Sequence, residues 1–418
     1  VTVVDQAAER IYYDAPSQLE FTATVTAIRE VARVDGRQVW QMALNRTAFY
    51  PTSGGQPFDT GTLIATARSG ARLDVPISSV EEDELGEVWH TSAKPLQEGT
   101  EVLGTVDTAR RRDHMQQHTG QHLLSALLVR DCGAHTVSFH LGEASSTIDL
   151  DVASLTDAQL ANVERAANEA IAAALTLAVR YVSQVEAQAM LADGLLRKLP
   201  PRDGNIRLIE IPGIDLNACG GTHVATTAEI GPLLLRGTER MRGGVRLSFV
   251  CGSRAIDAAA ADFCMLTELG QSLSTAPAEI GASIARLQTD NKVAAKERGA
   301  LLASLAELEA ASIAATSGGA AVVHTLDTQL PGRDALYAKL LASRLVAQGV
   351  PVALVIAPEP ERASVVLASV AGARDCGTEL RTSLANFQGR GGGNREMAQG
   401  ALPLAELAVW QDAIRTRL

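Results

Sequence analysis

Apolar and polar positions alternate with a period of two near the start of the chain and with a spacing of three and four further on. Phe21-Thr-Ala-Thr-Val-Thr-Ala-Ile28 and Val39-Trp-Gln-Met-Ala-Leu44 are β-branched or alternating stretches broken by glycine-rich turns. Residues 1–105 are therefore expected to form a small antiparallel β-barrel. From Arg110 the pattern is mixed: 118–129 and 157–175 read as helices, and 146–151, 206–211 and 245–251 as strands. Residues 106–257 are expected to be an α+β domain.

In residues 258–317, Ile280, Ile284, Leu287, Asn291, Ala294, Arg298, Leu301, Leu305 and Leu308 follow one another at four- and three-residue spacing. Such a heptad seam fits a helical hairpin folded on its own chain or an intermolecular coiled coil, and the latter would make a homodimer. Asn291 can set register, whereas Arg298 interrupts a dry interface. Residues 318–418 read as a compact α/β domain, with strands near 321–323, 352–356 and 365–369 and a helix at 333–348. The chain as a whole is expected to be a multidomain α+β protein.

Composition fits this division. A chain of 418 residues exceeds one ordinary core, and 46% hydrophobic with 20% charged residues describes a globular chain. No apolar run approaches the ~20 residues of a bilayer span, and the start, 1–10, is too polar for a signal peptide. No membrane partner and a cytoplasmic location are therefore expected. The formal net charge of −11 repels phosphate at long range. Local basic clusters run the other way: Arg110–Arg112; Arg197, Lys198, Arg202 and Arg207; and Arg236, Arg240, Arg242 and Arg246. They fit either solvated faces or an edge that tracks phosphates.

Candidate chemistry centres on two half-motifs, His118-Thr-Gly-Gln-His122 and Cys219-Gly-Gly-Thr-His223. Positions i and i+4 share one helix face, so His118 and His122 can offer two imidazoles to one ion, and a glycine-rich turn can bring Cys219 and His223 to its other side. Three imidazoles and a thiolate suit Zn2+. Of 8 histidines and 5 cysteines, three and one fall in these pairs, and the other cysteines lack CxxC spacing, as reduced thiols would. Asp113 and His114 precede the expected helix as capping groups or as groups that orient the ligands.

The words around these pairs carry a resemblance. Thr47-Ala-Phe-Tyr-Pro-Thr-Ser-Gly-Gly-Gln56-Pro-Phe-Asp59-Thr-Gly61 and Cys219-Gly-Gly-Thr-His-Val-Ala-Thr-Thr-Ala-Glu-Ile-Gly231 resemble, in that order, the editing region of alanyl-tRNA synthetases and their free-standing relatives, the AlaX proteins. Gly389-Arg-Gly-Gly-Gly-Asn-Arg-Glu-Met-Ala-Gln-Gly400 resembles the glycine-rich motif of the DHH-associated domain, so the likeness spans about residues 20–400. The resemblance implies hydrolysis of the ester in alanine tRNA mischarged with serine, or with glycine. Zinc could polarise water or the ester carbonyl, which needs an open coordination position, or hold the site; four candidate ligands favour the second role, with a water oriented by polar neighbours. Only 46 residues precede Thr47, fewer than a class II activation domain needs, so the chain is expected to act in trans without aminoacylation.

Thr47, Gln56, Gln121, Ser138 and His140 are the residues the resemblance puts forward for catalysis. Ser53, Gly54, Gly55 and Thr222 are put forward for substrate binding, and Arg390 and Arg395 for tRNA phosphate. A plain β-turn at Ser53–Gln56 and a flexible loop at the C-terminal motif are the competing readings. Two other functions compete as well. One is a zinc-stabilised tRNA-binding protein without catalysis; the other is a DHH-type phosphodiesterase, whose triplet is absent, the nearest string being Arg112-Asp-His-Met115.

Overall fold

A computed structural model describes residues 8–34, 37–200 and 204–418; Arg202 lies outside them. The chain divides into two compact units, Val1–Leu266 and Thr267–Leu418.

The first unit begins with a seven-stranded antiparallel sheet in the order Arg72–Ile77, Gly61–Thr66, Glu101–Val106, Glu20–Val34, Arg37–Leu44, Val88–Ser92, Ser79–Glu82. Its central strand is bent by two bulges and pairs through residues 20–24 with one neighbour and through residues 25–34 with the other. Phe21, Val25, Met42, Leu63, Val75 and Val88 fill one core on its inner face. The expected barrel is not closed. The two edge strands, Arg72–Ile77 and Ser79–Glu82, are consecutive stretches of chain joined through Ser78, so they meet end to end and cannot hydrogen-bond side by side as closure requires.

Next comes the helix Thr108–Cys132, capped by Asp107, whose carboxylate accepts from the N–H groups of Ala109 and Arg110. It lies with the helix Asp157–Ala172 against a four-stranded antiparallel sheet ordered Thr136–Leu141, Ser146–Leu150, Gly244–Cys251, Leu233–Met241. A three-stranded sheet, Ala178–Val182, Ile206–Ile211 and Asp215–Ala218, leads into the Cys219 loop.

The long helix starts ten residues before its apolar pattern does, which puts Asp113 and His114 inside it. The reason is that its first turns are polar yet buried. Arg111 is 1% exposed, pairs with Asp59 and donates to the carbonyls of Ala48 and Pro16. The Gln117 amide bonds both the carbonyl and the N–H of Cys251, at 2.9 and 3.0 Å. Buried polar groups matched in this way hold the helix as firmly as an apolar stripe.

The second unit contains the helix Ile280–Ser317 and a five-stranded sheet ordered Val322–Thr325, Val352–Pro358, Arg362–Ser369, Met397–Pro403, Arg390–Gly393, its first pair parallel and the rest antiparallel. Two cores lie on its opposite faces, one with the helix Ala335–Ala347 and one with Cys376–Leu384 and Leu407–Arg415.

Two expectations change here. Ala306 and Ala310, with Leu302, pack on the first of these cores, while Leu301, Leu305 and Leu308 of the expected seam are exposed. Small alanines let the helix approach closely, so the buried stripe falls beside the leucine-marked one. Pro277–Ser317 is also long and apolar enough, by length and composition, to cross a membrane. Looking for large apolar residues missed it because alanine carries much of its apolar character.

Candidate metal centre

The structure brings His118, His122, Cys219 and His223 together, with their ligand atoms all within 4.8 Å of one another. The helix supplies two imidazoles one turn apart. The loop supplies the other two ligands because Arg207 clamps it, donating to the carbonyls of Cys219 and Gly221 at 2.9 and 3.0 Å. Gly221 is required by space: a Cβ there would lie 2.1 Å from His118 Cε1.

Each imidazole is oriented through its Nδ1. That atom lies 2.8 Å from Gln56 Oε1 for His118, 3.2 Å from Asp215 Oδ2 for His122 and 3.2 Å from Thr119 Oγ1 for His223. All three Nε2 atoms are thereby left as the ligand atoms, the tautomer a metal site needs. His118 Nε2 and His223 Nε2 lie 3.5 and 3.3 Å from Cys219 Sγ. Burial opposes ionisation of Cys219, yet the facing imidazoles bring its thiol well below the usual range. By contrast, burial pushes the Cys251 thiol up. Against burial, Cys219 and Asp215 in turn raise His122 to about 9, and one thiolate facing three imidazoles in a buried pocket is a donor set for a metal ion, which would displace the protons held there.

Beside this cluster opens a cleft of about 860 Å3, larger than an amino acid needs and within the range of small-molecule sites. Its floor carries the ligands His118, His122 and Cys219. Ser53, Gly54 and Gly55 form one lip. Ser53 and Gln56 exchange both backbone hydrogen bonds around Gly54 and Gly55, whose φ values are 55° and 84°. This is the two-residue turn with positive φ at both central positions. The β-turn reading and the lip are thus the same object. The backbone N–H groups of Gly54 and Gly55 make no hydrogen bond among the described residues.

The sequence-derived site residues separate in space. Gln121 lies in the cleft wall, 5% exposed; its Nε2 donates to Ser125 Oγ at 2.8 Å, while its Oε1 has no partner among the described residues. Gln56 is fully buried: its Oε1 accepts from His118 and from the Thr222 N–H, and its Nε2 donates to Thr222 Oγ1 at 2.9 Å. Gln56 and Thr222 therefore act on the metal ligand and lie outside the cleft wall. Thr47 is also outside it, buried and bonded at 2.8 Å to His90 Nε2. Burial lowers the pKa of His90 to about 4, so this pair is neutral. Ser138 reaches the cleft, but its hydroxyl donates to Asp149 at 2.7 Å, and the exposed His140 is not part of the wall.

Asp113 pairs with Arg254, and burial lowers His114 to a pKa of about 4; neither orients a ligand imidazole. Arg390 lies on the edge strand of the second unit, and Arg395 is highly exposed at the hairpin tip, 3.9 Å from Asp375. The glycines around them have a packing cause, since a Cβ at Gly391 or Gly400 would meet Leu384 at 2.8 or 2.5 Å. Of the basic clusters, Arg197, Arg236 and Arg246 are held in ion pairs with Asp215, Asp262 and Asp149.

Sequence reasoning missed Asp215, Thr119 and Phe139, and it named Arg207 only as part of a basic cluster, not as the clamp of the metal loop. Phe139 lies 5.7 Å from the His118 ring and would be struck by a Cβ at Gly55. Thr119, adjacent to His118, and Phe139, between Ser138 and His140, had a positional signal; Asp215 had none. Replacing Gln56 with leucine is expected to lower metal affinity about 10–100-fold, the usual effect of losing such an orienting group. Competition with a chromogenic chelator measures this, and unchanged affinity would remove Gln56 from the metal centre.

Residues 1–110 match the family model for tRNA synthetases class II (A), and residues 206–247 match that for the threonyl and alanyl tRNA synthetase second additional domain, which includes Cys219 and His223. The alanine–tRNA ligase of Methanoculleus marisnigri is 32% identical over 404 residues, covering 94% of this chain and 41% of that protein. That of Archaeoglobus fulgidus is 31% identical over 403 residues, 95% of this chain and 42% of that protein. This chain is related to the alanyl-tRNA synthetases. It spans about two fifths of the length of these curated relatives, and its metal-capable cluster lies in part within the second additional domain of that family.

Proposed function

We propose that the chain is an editing hydrolase that cleaves the ester of alanine tRNA mischarged with serine, and with glycine as a second substrate. The observation that carries this is Gln121: a buried amide oxygen without a partner, in the cleft wall between two metal ligands. Zinc is the ion that the one-thiolate, three-imidazole donor set fits. His118, His122, Cys219 and His223 would hold it, and with four protein ligands filling the tetrahedron it would fix the geometry of the site.

The chain's own groups do the rest. Gln121 Oε1 can only accept, so it receives a hydrogen bond from the serine hydroxyl. Alanine and glycine have none and leave that oxygen unsatisfied, a loss of about 1–3 kcal/mol, so glycine is the slower of the two proposed substrates. The N–H groups of Gly54 and Gly55 are donors for charge developing on the ester oxygen. A water is positioned by the remaining polar groups of the cleft. Arg390 and Arg395, in a domain resembling the DHH-associated one, would hold tRNA phosphate. The proposal includes a cytoplasmic location.

The test is deacylation of alanine tRNA charged in turn with serine, glycine and alanine. Serine is expected to leave about tenfold or more faster than alanine, and Gln121→Leu should shrink that ratio. Equal rates in the wild type, or none with metal present, would exclude editing. A zinc-stabilised tRNA-binding protein would bind the tRNA and leave the ester intact; amino-acid-dependent ATP–pyrophosphate exchange tests for aminoacylation separately.

A further inference from the structure

The second unit holds a groove that the ester chemistry does not use. It lies between the helices Ile280–Ser317 and Ala335–Ala347 and has a volume of about 360 Å3, within the range of small-molecule sites. Leu302, Leu340 and Met397, which pack on the core beneath, form its apolar walls, and Leu336 on its rim is 71% exposed.

Two cations line the same groove: Arg298, which interrupts the apolar spacing of the long helix, and Lys339. Neither has an acidic residue three or four positions away on its own helix, so no local pair neutralises it. Neither makes an ion pair among the described residues. The carboxylates between the two helices are engaged with other groups. Glu307 pairs with Arg344, and Glu309 with Arg333 and the Tyr337 hydroxyl. Asp334, the acidic residue that lines the groove, caps its helix by accepting from the Tyr337 N–H at 3.0 Å. The groove thus carries two positive charges against one negative.

Gly299 completes the opening. Glycine disfavours a helix interior, and close packing is the usual reason for keeping one there. Here an added Cβ would meet nothing within 4 Å. Packing does not require the glycine; its effect is to leave the groove open between Arg298 and Leu302.

We propose that this groove binds a small amphipathic carboxylate. Its apolar body lies on Leu302, Leu340 and Met397, and its carboxylate is held by Arg298 and Lys339. Apolar walls alone would take a neutral molecule equally well, whereas the two unpaired cations select an anion. The surplus of one positive charge matches a single carboxylate rather than a doubly charged phosphate.

The experiment is calorimetric titration of the full chain with sodium octanoate, with 1-octanol and octylamine as its neutral and cationic counterparts, and with acetate. Octanoate is expected to bind at least about tenfold more tightly than 1-octanol or octylamine, the effect of a charge-assisted contact. Acetate, which lacks the apolar body, should not bind measurably. Replacing both cations, Arg298→Gln with Lys339→Gln, should bring octanoate down to the level of 1-octanol. Gly299→Leu should fill the groove and weaken octanoate at least about tenfold. Its thermal stability should be unchanged or raised, since the position has open space and leucine favours a helix interior over glycine.

The absence of saturable octanoate binding overturns the proposal, and so does equal affinity for octanoate and 1-octanol. Binding of octanoate to Gly299→Leu at the wild-type level also overturns it, because the ligand then lies elsewhere on the chain.

Discussion

Replacing Cys219 with alanine is expected to abolish both metal binding and ester hydrolysis. Cys219 is the one anionic donor of the cluster, and its sulfur lies within 3.5 Å of His118 Nε2 and His223 Nε2. Its loss leaves three imidazoles without an anionic donor, and the loop that Arg207 clamps no longer has an ion to close on. Metal content should fall from about one ion per chain to near none, because binding and the ordering of such a site are one equilibrium. Mass-spectrometric metal analysis and deacylation of seryl-tRNA read the two effects together. Full metal retention in each of the single variants of His118, His122, Cys219 and His223 would sink the four-ligand site.

A chain ending at Ser272 is expected to keep its metal and lose most of its affinity for tRNA. All four ligands, Gln56 and the cleft lie before Leu266, in the unit that has its own cores. Arg390 and Arg395 lie in the other unit. Removing each arginine that neutralises a phosphate should flatten the plot of log affinity against log salt by roughly 0.7–0.9, since fewer counterions are released. Filter binding across a salt series measures this. Slow hydrolysis should survive at high substrate concentration. If affinity and salt slope are unchanged, the second unit is not the RNA anchor, and its exposed Leu301, Leu305 and Leu308 become the face to test for dimer formation.

The regions of strand and helix were legible because period two and period 3.6 are local properties of the chain. The metal pairs were legible for the same reason. His118 and His122 sit one turn apart, and Cys219 and His223 flank a glycine turn, so each half-site is local even though the whole is not. Barrel closure was not legible: whether two edge strands pair side by side or run on through Ser78 depends on how the bulged central strand bends. The start of the long helix was hidden too, because Arg111 and Gln117 read as exposed until Asp59 and Cys251 are seen to receive them.

What the sequence determined by itself was the inventory of donors and the i,i+4 geometry that lets two pairs share one ion. What only the tertiary structure decided was the work of each polar neighbour. Gln56 and Thr47 belong to the same glycine-rich stretch, yet one orients His118 and the other is sealed against His90. Asp215 reaches His122 across 93 positions of sequence, and Arg207 acquires a donor without an acceptor only because Tyr13 and the metal loop close around it. Hydrogen-bond partnership at long range depends on which surfaces the fold presses together, and no local pattern encodes that.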